Sequence, residues 1–254
     1  MLSDYRTRFR VHSPRTVRTK TIMRIILAYI AVTGGPNTYD LCSRFVGSYL
    51  ACPPLAEHET IVCCNGGPLP LETALLFTPL RAKFYPRKND PGFDITAYQD
   101  VASKFKCDIL MCCGETIHFQ RAGWLKRYVE SWKQHGPGMY GTFSSNLVRP
   151  HLNTTGFCVA PTFLRGSPRP QSRQERYDFE HGKNAFWTKV STLGGATRLV
   201  TFDGCYDVPQ WRYPQNIMWR GDQSNCLMLC SHTDRYDEAD QETKLKWSKG
   251  ADRV

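Results

Sequence analysis

The stretch KCDILMCCGETIHFQRAGWLKRYVESWKQHGPGMY, residues 106–140, decides the fold because it combines a buried strand, a polar turn and an amphipathic helix. Residues 109–113 form an apolar run without polar alternation, which is typical of a strand covered on both faces in a parallel sheet. After Gly114-Glu115-Thr116, large apolar residues recur at helical spacing until Gly136-Pro137-Gly138 ends the helix. Ligands of open α/β sheets bind beyond the carboxyl ends of the strands, so we expect the loop with Glu115 to face the functional site.

The preceding segment alternates strands and helices in the same way. Apolar runs predict strands at residues 24–32, 58–68 and 82–85, and helical spacing predicts helices near 41–50, 71–77 and 95–105. This order is typical of βαβ crossovers and a largely parallel sheet. The first two strands end in Gly-Gly, which either lets a ligand approach the backbone closely or only makes a tight turn. Neither turn matches the dinucleotide fingerprint or the P-loop, so both of those sites are disfavoured.

Composition favours one large α/β domain. The chain has 254 residues, of which 41% are hydrophobic, and this is enough for a single sizeable core. Residues 1–22 hold six Lys/Arg and one Asp, and so supply half of the net charge of +10. The remaining charge is ordinary for a protein surface and would suit an anionic phosphate substrate, so we expect no nucleic-acid partner. The predicted organisation is a disordered basic extension at 1–22, a domain at 23–240 and a charged tail at 241–254.

The cysteines and the hydropathy pattern predict the compartment. The eleven cysteines lie mostly in apolar runs, which favours reduced core thiols over a disulfide framework. The longest uninterrupted apolar segment, residues 25–32, has eight residues, whereas a membrane span needs about 20. We therefore expect a soluble, cytoplasmic protein without a transmembrane segment, for which only peripheral membrane contact remains open.

Several motifs, taken in order, carry a family resemblance. They are KNDPGFDITAYQ (88–99), GWL (123–125), GPGMYG (136–141), RPHLNTTGF (149–157), YDFEHG (177–182), WRGDQSN (219–225) and SHTDRY (231–236). Together they resemble GT-A glycosyltransferases of the broad family-2-like kind, near bacterial polysaccharide transferases related to rhamnan synthesis. The resemblance covers about residues 23–240. It implies a single GT-A-like α/β domain, with a mixed, mostly parallel central sheet flanked by helices.

The same resemblance implies an inverting glycosyltransferase. Such an enzyme moves a sugar from a nucleotide-diphosphate-sugar donor to the hydroxyl group of a saccharide or glycoconjugate acceptor. Residues expected to bind the donor are Thr33, Gly34, Gly35, Asn89, Asp94, Gly114 and Arg220. Residues expected to bind the acceptor are Trp124, Arg149, His151 and Asn153. Two of these readings stay open, because Asp94 also stands where a helix N-cap would, and a polar loop could have the composition of residues 144–154 without any ligand.

The chain departs from the family at the metal-binding DxD motif. Cys113-Gly114-Glu115-Thr116 stands at that position and offers one carboxylate instead of two. In the family this motif holds Mg²⁺ or Mn²⁺, which bridges the donor diphosphate. The resemblance implies Glu115 as the main ligand of such an ion and His232 as an auxiliary one. Alternatively, basic side chains replace the ion, and the candidates are Arg87, Lys88, Arg149 and Arg220.

A carboxylate just before a late helix acts as the catalytic base in inverting members of the family. Glu180 in YDFEHG is the best positional match, with Asp178 and then Asp222 as reserves. The alternative for Glu180 is a first-turn acid that the dipole of a helix starting near residue 183 would stabilise. The Pro/Arg/Ser-rich residues 165–176 before it are expected to form a loop or lid.

Three other functions remain open. A sugar-phosphate nucleotidyltransferase shares the predicted sheet but usually has a G-x-G-T-R-type loop, which this chain lacks after its first strand. A catalytically inactive sugar- or nucleotide-binding protein would explain the degenerate DxD motif. A nucleic-acid binder acting through the basic residues 1–22 has no stacking-aromatic motif to support it.

Overall fold

The computed structural model describes residues 23–145 and 150–251. The predicted extension at residues 1–22 lies outside the described residues. The strands of the described part are β1 Ile25–Val32, β2 Glu59–Asn65, β3 Lys83–Arg87, β4 Ile109–Cys113, β5 Gly138–Gly141, β6 Ser144–Ser145, β7 His151–Leu152, β8 Gly156–Val159, β9 Ala196–Val200 and β10 Cys205–Tyr206. The α-helices of the same part are α1 Thr38–Ala51, α2 Leu71–Leu75, α3 Phe93–Lys104, α4 Trp124–His135, α5 Pro161–Arg165, α6 Arg173–His181, α7 Phe186–Thr192, α8 Ser231–Glu238 and α9 Gln241–Ala251.

Eight of these strands form one sheet in the order β10-β9-β5-β8-β4-β1-β2-β3. Strands β3, β2, β1 and β4 are parallel, and β5 is parallel to β9. Strand β8 runs antiparallel between β4 and β5, and β10 runs antiparallel to β9 at the edge. The prediction of an α/β domain with a mixed, mostly parallel sheet flanked by helices is confirmed.

The centre of the sheet is the core of the molecule. Residues 26–29 of β1 and all of β4 are fully buried, because helices cover both faces of the sheet. This double coverage explains why both strands are continuous apolar runs in the sequence. The predicted strands at 24–32, 58–68, 82–85 and 109–113 are confirmed, each to within a few residues.

Helix α6 corrects one prediction. Residues 165–176 were expected to be a loop, but the helix already begins at Arg173, because Ser172 caps it by accepting a 3.1 Å hydrogen bond from the backbone N–H of Glu175. Glu180 therefore lies in the last turn of α6, and α7 begins only at Phe186. The alternative that Glu180 is a first-turn acid is wrong.

The start of α3 corrects a second prediction. Gly92, not Asp94, is the N-cap residue, and Asp94 lies in the first turn. A Cβ at Gly92 would lie 2.2 Å from Cγ2 of Thr96, so a side chain does not fit there. Phe93 then adopts a φ of 47°, which presents an exposed aromatic ring next to Asp94.

Helix α9 forms within the charged tail predicted at residues 241–254. The ring of Trp247 lies 6.2 Å from that of Trp219, and Oγ of Ser248 donates a 2.8 Å hydrogen bond to the carbonyl of Trp219. Helix α9 thus contacts the domain through Trp247 and Ser248. All eleven cysteines are free thiols, as predicted. Among the described helices, none combines the length and apolarity that crossing a bilayer requires.

Candidate active site

A pocket of about 260 Å³ lies beyond the carboxyl end of β4. The backbone N–H of Gly114, which follows β4, donates a 2.7 Å hydrogen bond to the carbonyl of Thr155 in the pocket wall. The wall is formed by Asp94, Asn153, Thr154, Thr155, Arg173, Arg176, Tyr177, Glu180, His181 and His232. Of the residues predicted from the sequence, Asp94, Asn153, Glu180 and His232 are thus brought together, although they come from four different segments.

Glu180 is held in this pocket by a set of hydrogen-bond donors. Its Oε2 accepts hydrogen bonds from the backbone N–H of Thr154, at 2.7 Å, and from the hydroxyl group of the same residue. Its Oε1 accepts a 3.3 Å hydrogen bond from Nδ2 of Asn153. A carboxylate in the last turn of a helix opposes the helix dipole, so these donors replace the stabilisation that the helix end does not provide.

Two histidines face the same oxygen of Glu180. Nε2 of His181 lies 3.1 Å from Oε1, and Nε2 of His151 lies 3.9 Å from it. The rings of the two histidines pack with their centroids 4.1 Å apart. Their ligand atoms and that of Glu180 lie within 4.8 Å of one another, which makes this group a candidate metal site.

Asp94 is the second carboxylate of the pocket. Burial raises the pKa of its carboxyl group to about 6; the positive charge of Arg176 opposes this shift and the negative charge of Glu180 adds to it. Nη1 of Arg176 lies 3.8 Å from Oδ1 of Asp94. About a quarter of the Asp94 side chain remains exposed, so the group can reach a ligand in the pocket.

Arg173 and Arg176 were missed by sequence reasoning, because their segment was expected to be a loop. Both line the pocket from α6, and the guanidinium group of Arg176 lies 5.2 Å from the centroid of the exposed Phe93 ring. The signal that could have found them is Ser172 followed three residues later by Glu175, the sequence signature of a helix start.

His232 enters the pocket from α8. Burial lowers the pKa of its imidazole, while the negative charge of Glu180 raises it and Arg235 lowers it further. Helix α8 is fixed to α1 by an ion pair between Asp234 and Arg44 at 2.7 Å. Because the charge of Glu180 acts on the pKa of His232, these two pocket residues are electrostatically linked.

Glu115, the predicted partner of His232 in metal binding, lies in the turn after β4. Its backbone carbonyl accepts a 2.9 Å hydrogen bond from the hydroxyl group of Tyr29, and burial raises the pKa of its carboxyl group. The charge of that carboxyl adds to burial in raising the pKa values of Tyr29 and Cys42. The Glu115 carboxylate is thus linked to residues of β1 and α1, and its pairing with His232 stays a prediction.

Four of the predicted donor-binding residues follow strands of the sheet. Thr33, Gly34 and Gly35 come after β1, and Asn89 comes after β3. Oγ1 of Thr33 donates a 2.8 Å hydrogen bond to the carbonyl of Gly67. A Cβ at Gly66 would lie 2.9 Å from the carbonyl oxygen of Thr33 and 3.3 Å from Nδ2 of Asn89, which shows how closely the ends of these strands meet. This group lies at the same sheet edge as Gly114 and is not part of the described pocket wall.

Four further predicted site residues also lie outside the pocket wall. Trp124 is fully buried; its Nε1 donates a 3.0 Å hydrogen bond to the carbonyl of Cys52, and this corrects its predicted contact with an acceptor. Nη1 of Arg220 donates to the carbonyls of Arg212, at 2.6 Å, and Pro214, at 3.3 Å. The remaining two are Asp178, on the exposed face of α6, and Asp222, in an exposed turn.

The basic residues proposed to replace a metal ion are also not gathered in the pocket. Arg87 is buried at the end of β3, where it pairs with Asp90 and, at 3.0 Å, with Asp100. A guanidinium group that is neutralised by two carboxylates is a structural group and not a free phosphate ligand, so this candidate is corrected. Lys88 is absent from the described pocket wall. Arg149 lies outside the described residues.

No protein-family model and no curated protein matches the chain. Solved structures similar to it include S. aureus TarS 1-349 in complex with UDP-GlcNAc, with a TM-score of 0.43 and 10% identity over 56% of this chain and 47% of that one. Glucosyl-3-phosphoglycerate synthase from Mycobacterium tuberculosis in complex with Mn²⁺ and UDP-glucose has a TM-score of 0.44 and 11% identity over 61% of this chain and 62% of that one. The galactosyltransferase LgtC in complex with donor and acceptor sugar analogs has a TM-score of 0.42 and 13% identity over 66% of each chain.

The chain spans less than two thirds of the length of TarS and of the mycobacterial synthase. TM-scores below 0.5 at such identities are too low to carry an activity, a substrate or a metal over to this chain. The narrower resemblance to transferases of rhamnan synthesis stays a prediction.

Proposed function

We propose that this protein is a GT-A-like glycosyltransferase, which moves a sugar from a nucleotide-diphosphate-sugar donor to the hydroxyl group of a saccharide or glycoconjugate acceptor. The observation that carries the proposal is the convergence of Asp94 and Glu180 in one pocket beyond the carboxyl end of β4. Ligands of open α/β sheets bind at this edge. Sugar transfer to a hydroxyl group needs a base that removes its proton, and the pocket offers two carboxylates for this chemistry.

Asp94 is the group that we assign as the base. A carboxyl group with a pKa of about 6 is mostly ionised at neutral pH yet basic enough to accept a proton, which is the condition for efficient general-base catalysis. Glu180, the base predicted from the sequence, has both carboxylate oxygens engaged by Thr154, Asn153 and His181. We therefore propose Glu180 as the fixed negative charge that organises the histidines of the pocket.

The donor would lie along the sheet edge between the end of β1 and the pocket. Five residues border this path and remain the proposed contacts of the nucleotide: Thr33, Gly34, Gly35, Asn89 and Gly114. Arg173 and Arg176 supply positive charge at the pocket, where the diphosphate would lie. Because Arg220 bonds to backbone carbonyls, we do not assign it to the phosphates.

The acceptor would enter beside Tyr177, an exposed aromatic ring in the pocket wall. An aromatic face next to hydrogen-bonding groups suits a sugar ring, which has apolar C–H groups and polar hydroxyl groups. His151 and Asn153 are buried and contact Glu180, so their proposed role is to position this carboxylate.

One observation favours an inactive sugar- or nucleotide-binding protein as the second candidate function. The turn at the DxD position offers only Glu115, and the charge of its carboxyl group acts on Tyr29 and Cys42. Such a protein would bind a nucleotide sugar and release no nucleoside diphosphate. A nucleotidyltransferase would instead release pyrophosphate from a nucleoside triphosphate.

The test is transfer at saturating donor by the wild type and by Asp94→Asn. We expect the variant to lose about 10² to 10⁴ in rate, the usual contribution of a general base. Asp178→Asn is the matched control, because Asp178 lies on the exposed face of α6, two residues from Glu180, and its Oδ1 accepts a 3.0 Å hydrogen bond from Nε2 of Gln174. Normal transfer by Asp94→Asn, or release of no nucleoside diphosphate by the wild type, would contradict the proposal.

A further inference from the structure

His151, Glu180 and His181 bring three metal-ligating atoms within 4.8 Å of one another, and two of these residues, Glu180 and His181, line the pocket. We propose that these three residues bind a divalent transition-metal ion of the Zn²⁺ type. This site differs from the Glu115 and His232 pair that the family resemblance implies. It stands on its own geometry and does not require that the pocket bind a nucleotide sugar.

The distances fit an ion. Ligand bonds of about 2.0 to 2.1 Å in a tetrahedral arrangement place neighbouring ligand atoms about 3.4 Å apart. Nε2 of His181 is 3.1 Å and Nε2 of His151 is 3.9 Å from Oε1 of Glu180. These two separations lie on either side of the tetrahedral value, and all three ligand atoms lie within 4.8 Å of one another, so adjustments of the side chains would bring them around one ion.

The ligands are also held in place by their surroundings. Thr154 fixes the other oxygen of Glu180 through its backbone N–H and its hydroxyl group. The ring of Tyr177 stacks on that of His181 at a centroid distance of 4.5 Å and an interplanar angle of 6°. Outer groups of this kind orient ligands and raise the affinity of metal sites.

The chemistry of the three ligands selects among metals. Two imidazoles and one carboxylate suit Zn²⁺, Co²⁺ and Fe²⁺, whereas Mg²⁺ prefers a shell of oxygen atoms. Three protein ligands beside an open pocket leave a further position for water or for a substrate oxygen, as in catalytic zinc sites. The Mg²⁺ that the resemblance implies therefore does not fit these three residues.

Binding of metal alone tests the proposal. The full chain is freed of metal with a chelator and titrated with Zn²⁺, Co²⁺ and Mg²⁺ by calorimetry, and Co²⁺ binding is followed by its visible absorption. We expect one Zn²⁺ per chain and much weaker Mg²⁺ binding. Loss of a direct ligand in His181→Gln or Glu180→Gln should weaken Zn²⁺ binding by more than about 100-fold, since loss of an outer partner already costs about 10- to 100-fold.

His135→Gln is the matched control, because His135 ends α4 and is absent from the pocket wall. Melting of each metal-free variant establishes that it is folded; if Glu180→Gln does not melt cooperatively, His181→Gln carries the test. Unchanged Zn²⁺ affinity in the folded variants, no Zn²⁺ binding by the wild type, or a Co²⁺–thiolate absorption band that assigns the ion to cysteines would overturn the proposal. Donor binding measured in the presence of chelator is a separate readout, so failure of the metal site and failure of the proposed function are distinguishable.

Discussion

The backbone N–H of Thr154 donates a 2.7 Å hydrogen bond to Oε2 of Glu180, and so joins the loop before β8 to the last turn of α6. The hydroxyl group of Thr154 donates to the same oxygen. The contact spans 26 residues of sequence and brings a helix-end carboxylate to the carboxyl edge of the sheet. The position of Glu180 thus depends on Thr154.

Thr154→Val removes the hydroxyl bond to Glu180 and keeps the shape of the side chain. A hydrogen bond to a charged group contributes about 1.5 to 3 kcal/mol, so we expect the free energy of unfolding to fall by that amount. Chemical denaturation measures this change. Thr192→Val is the control, because Thr192 is exposed and its hydroxyl group donates to the carbonyl of Thr188 within its own helix. Equal effects of the two substitutions would contradict the importance of the Thr154 contact.

Asp94→Asn should change how stability depends on pH. Because burial raises the pKa of Asp94 to about 6 in the folded protein, the folded state holds a proton between about pH 4 and pH 6 that the unfolded state releases. The contribution of Asp94 to stability therefore falls as the pH rises through this window. The variant has no titrating group at this position and so does not lose this contribution. The difference in unfolding free energy between variant and wild type should therefore be about 2 to 3 kcal/mol more favourable to the variant at pH 7 than at pH 4. A difference that is the same at both pH values would contradict the raised pKa.

Arg176→Gln should affect both the donor and Asp94. Loss of the positive charge weakens phosphate binding, so we expect the donor KM to rise about tenfold, the equivalent of about 1.4 kcal/mol. Since Arg176 lowers the pKa of Asp94, the acidic limb of the pH–rate profile should also move to higher pH. Arg198→Gln is the control, as Arg198 lies on β9 and faces Asp207 at 3.7 Å. If the donor KM changes but the acidic limb of the pH–rate profile does not move, Arg176 does not act on the catalytic base, which would contradict the assignment of Asp94.

Trp124→Phe tests the corrected role of Trp124. Its ring stacks on Phe119 at 4.0 Å, and its Nε1 bonds to the carbonyl of Cys52, so we expect a loss of about 1 to 3 kcal/mol in unfolding free energy. The acceptor KM of the folded variant should equal that of the wild type. A large rise in acceptor KM without loss of stability would restore the predicted acceptor contact.

The sequence predicts the central sheet well because its strands are apolar runs that are buried on both faces. It predicts the helix from Trp124 for a similar reason, since that helix has one apolar side. Helix α6 has no apolar stripe of this kind, because Phe179 is its one buried residue in the described chain, and the Ser172 cap marks its start.

The site is less accessible to sequence reasoning. Asp94, Glu180 and His232 were identified as residue types, but their grouping depends on how α3, α6 and α8 pack around the end of β4. Asp178 and Glu180 illustrate the difficulty, since they are two residues apart and face opposite sides of one helix. Trp124 was misassigned because an aromatic residue at a helix start has the same sequence pattern whether it binds a ligand or fills the core.

Donor binding is the measurement that tests the central claim most directly. The melting temperature of the wild type is compared with UDP-, GDP-, dTDP- and CDP-sugars, with and without Mn²⁺ or Zn²⁺, alongside Arg173→Gln/Arg176→Gln and Asp178→Asn. A ligand at a hundred times its Kd adds about 2.7 kcal/mol to the apparent stability. We predict that at least one nucleotide sugar stabilises the wild type and Asp178→Asn but not the double arginine variant. Stabilisation by none of the four classes, or equal stabilisation of all three proteins, would contradict the assignment of this pocket as a nucleotide-sugar site.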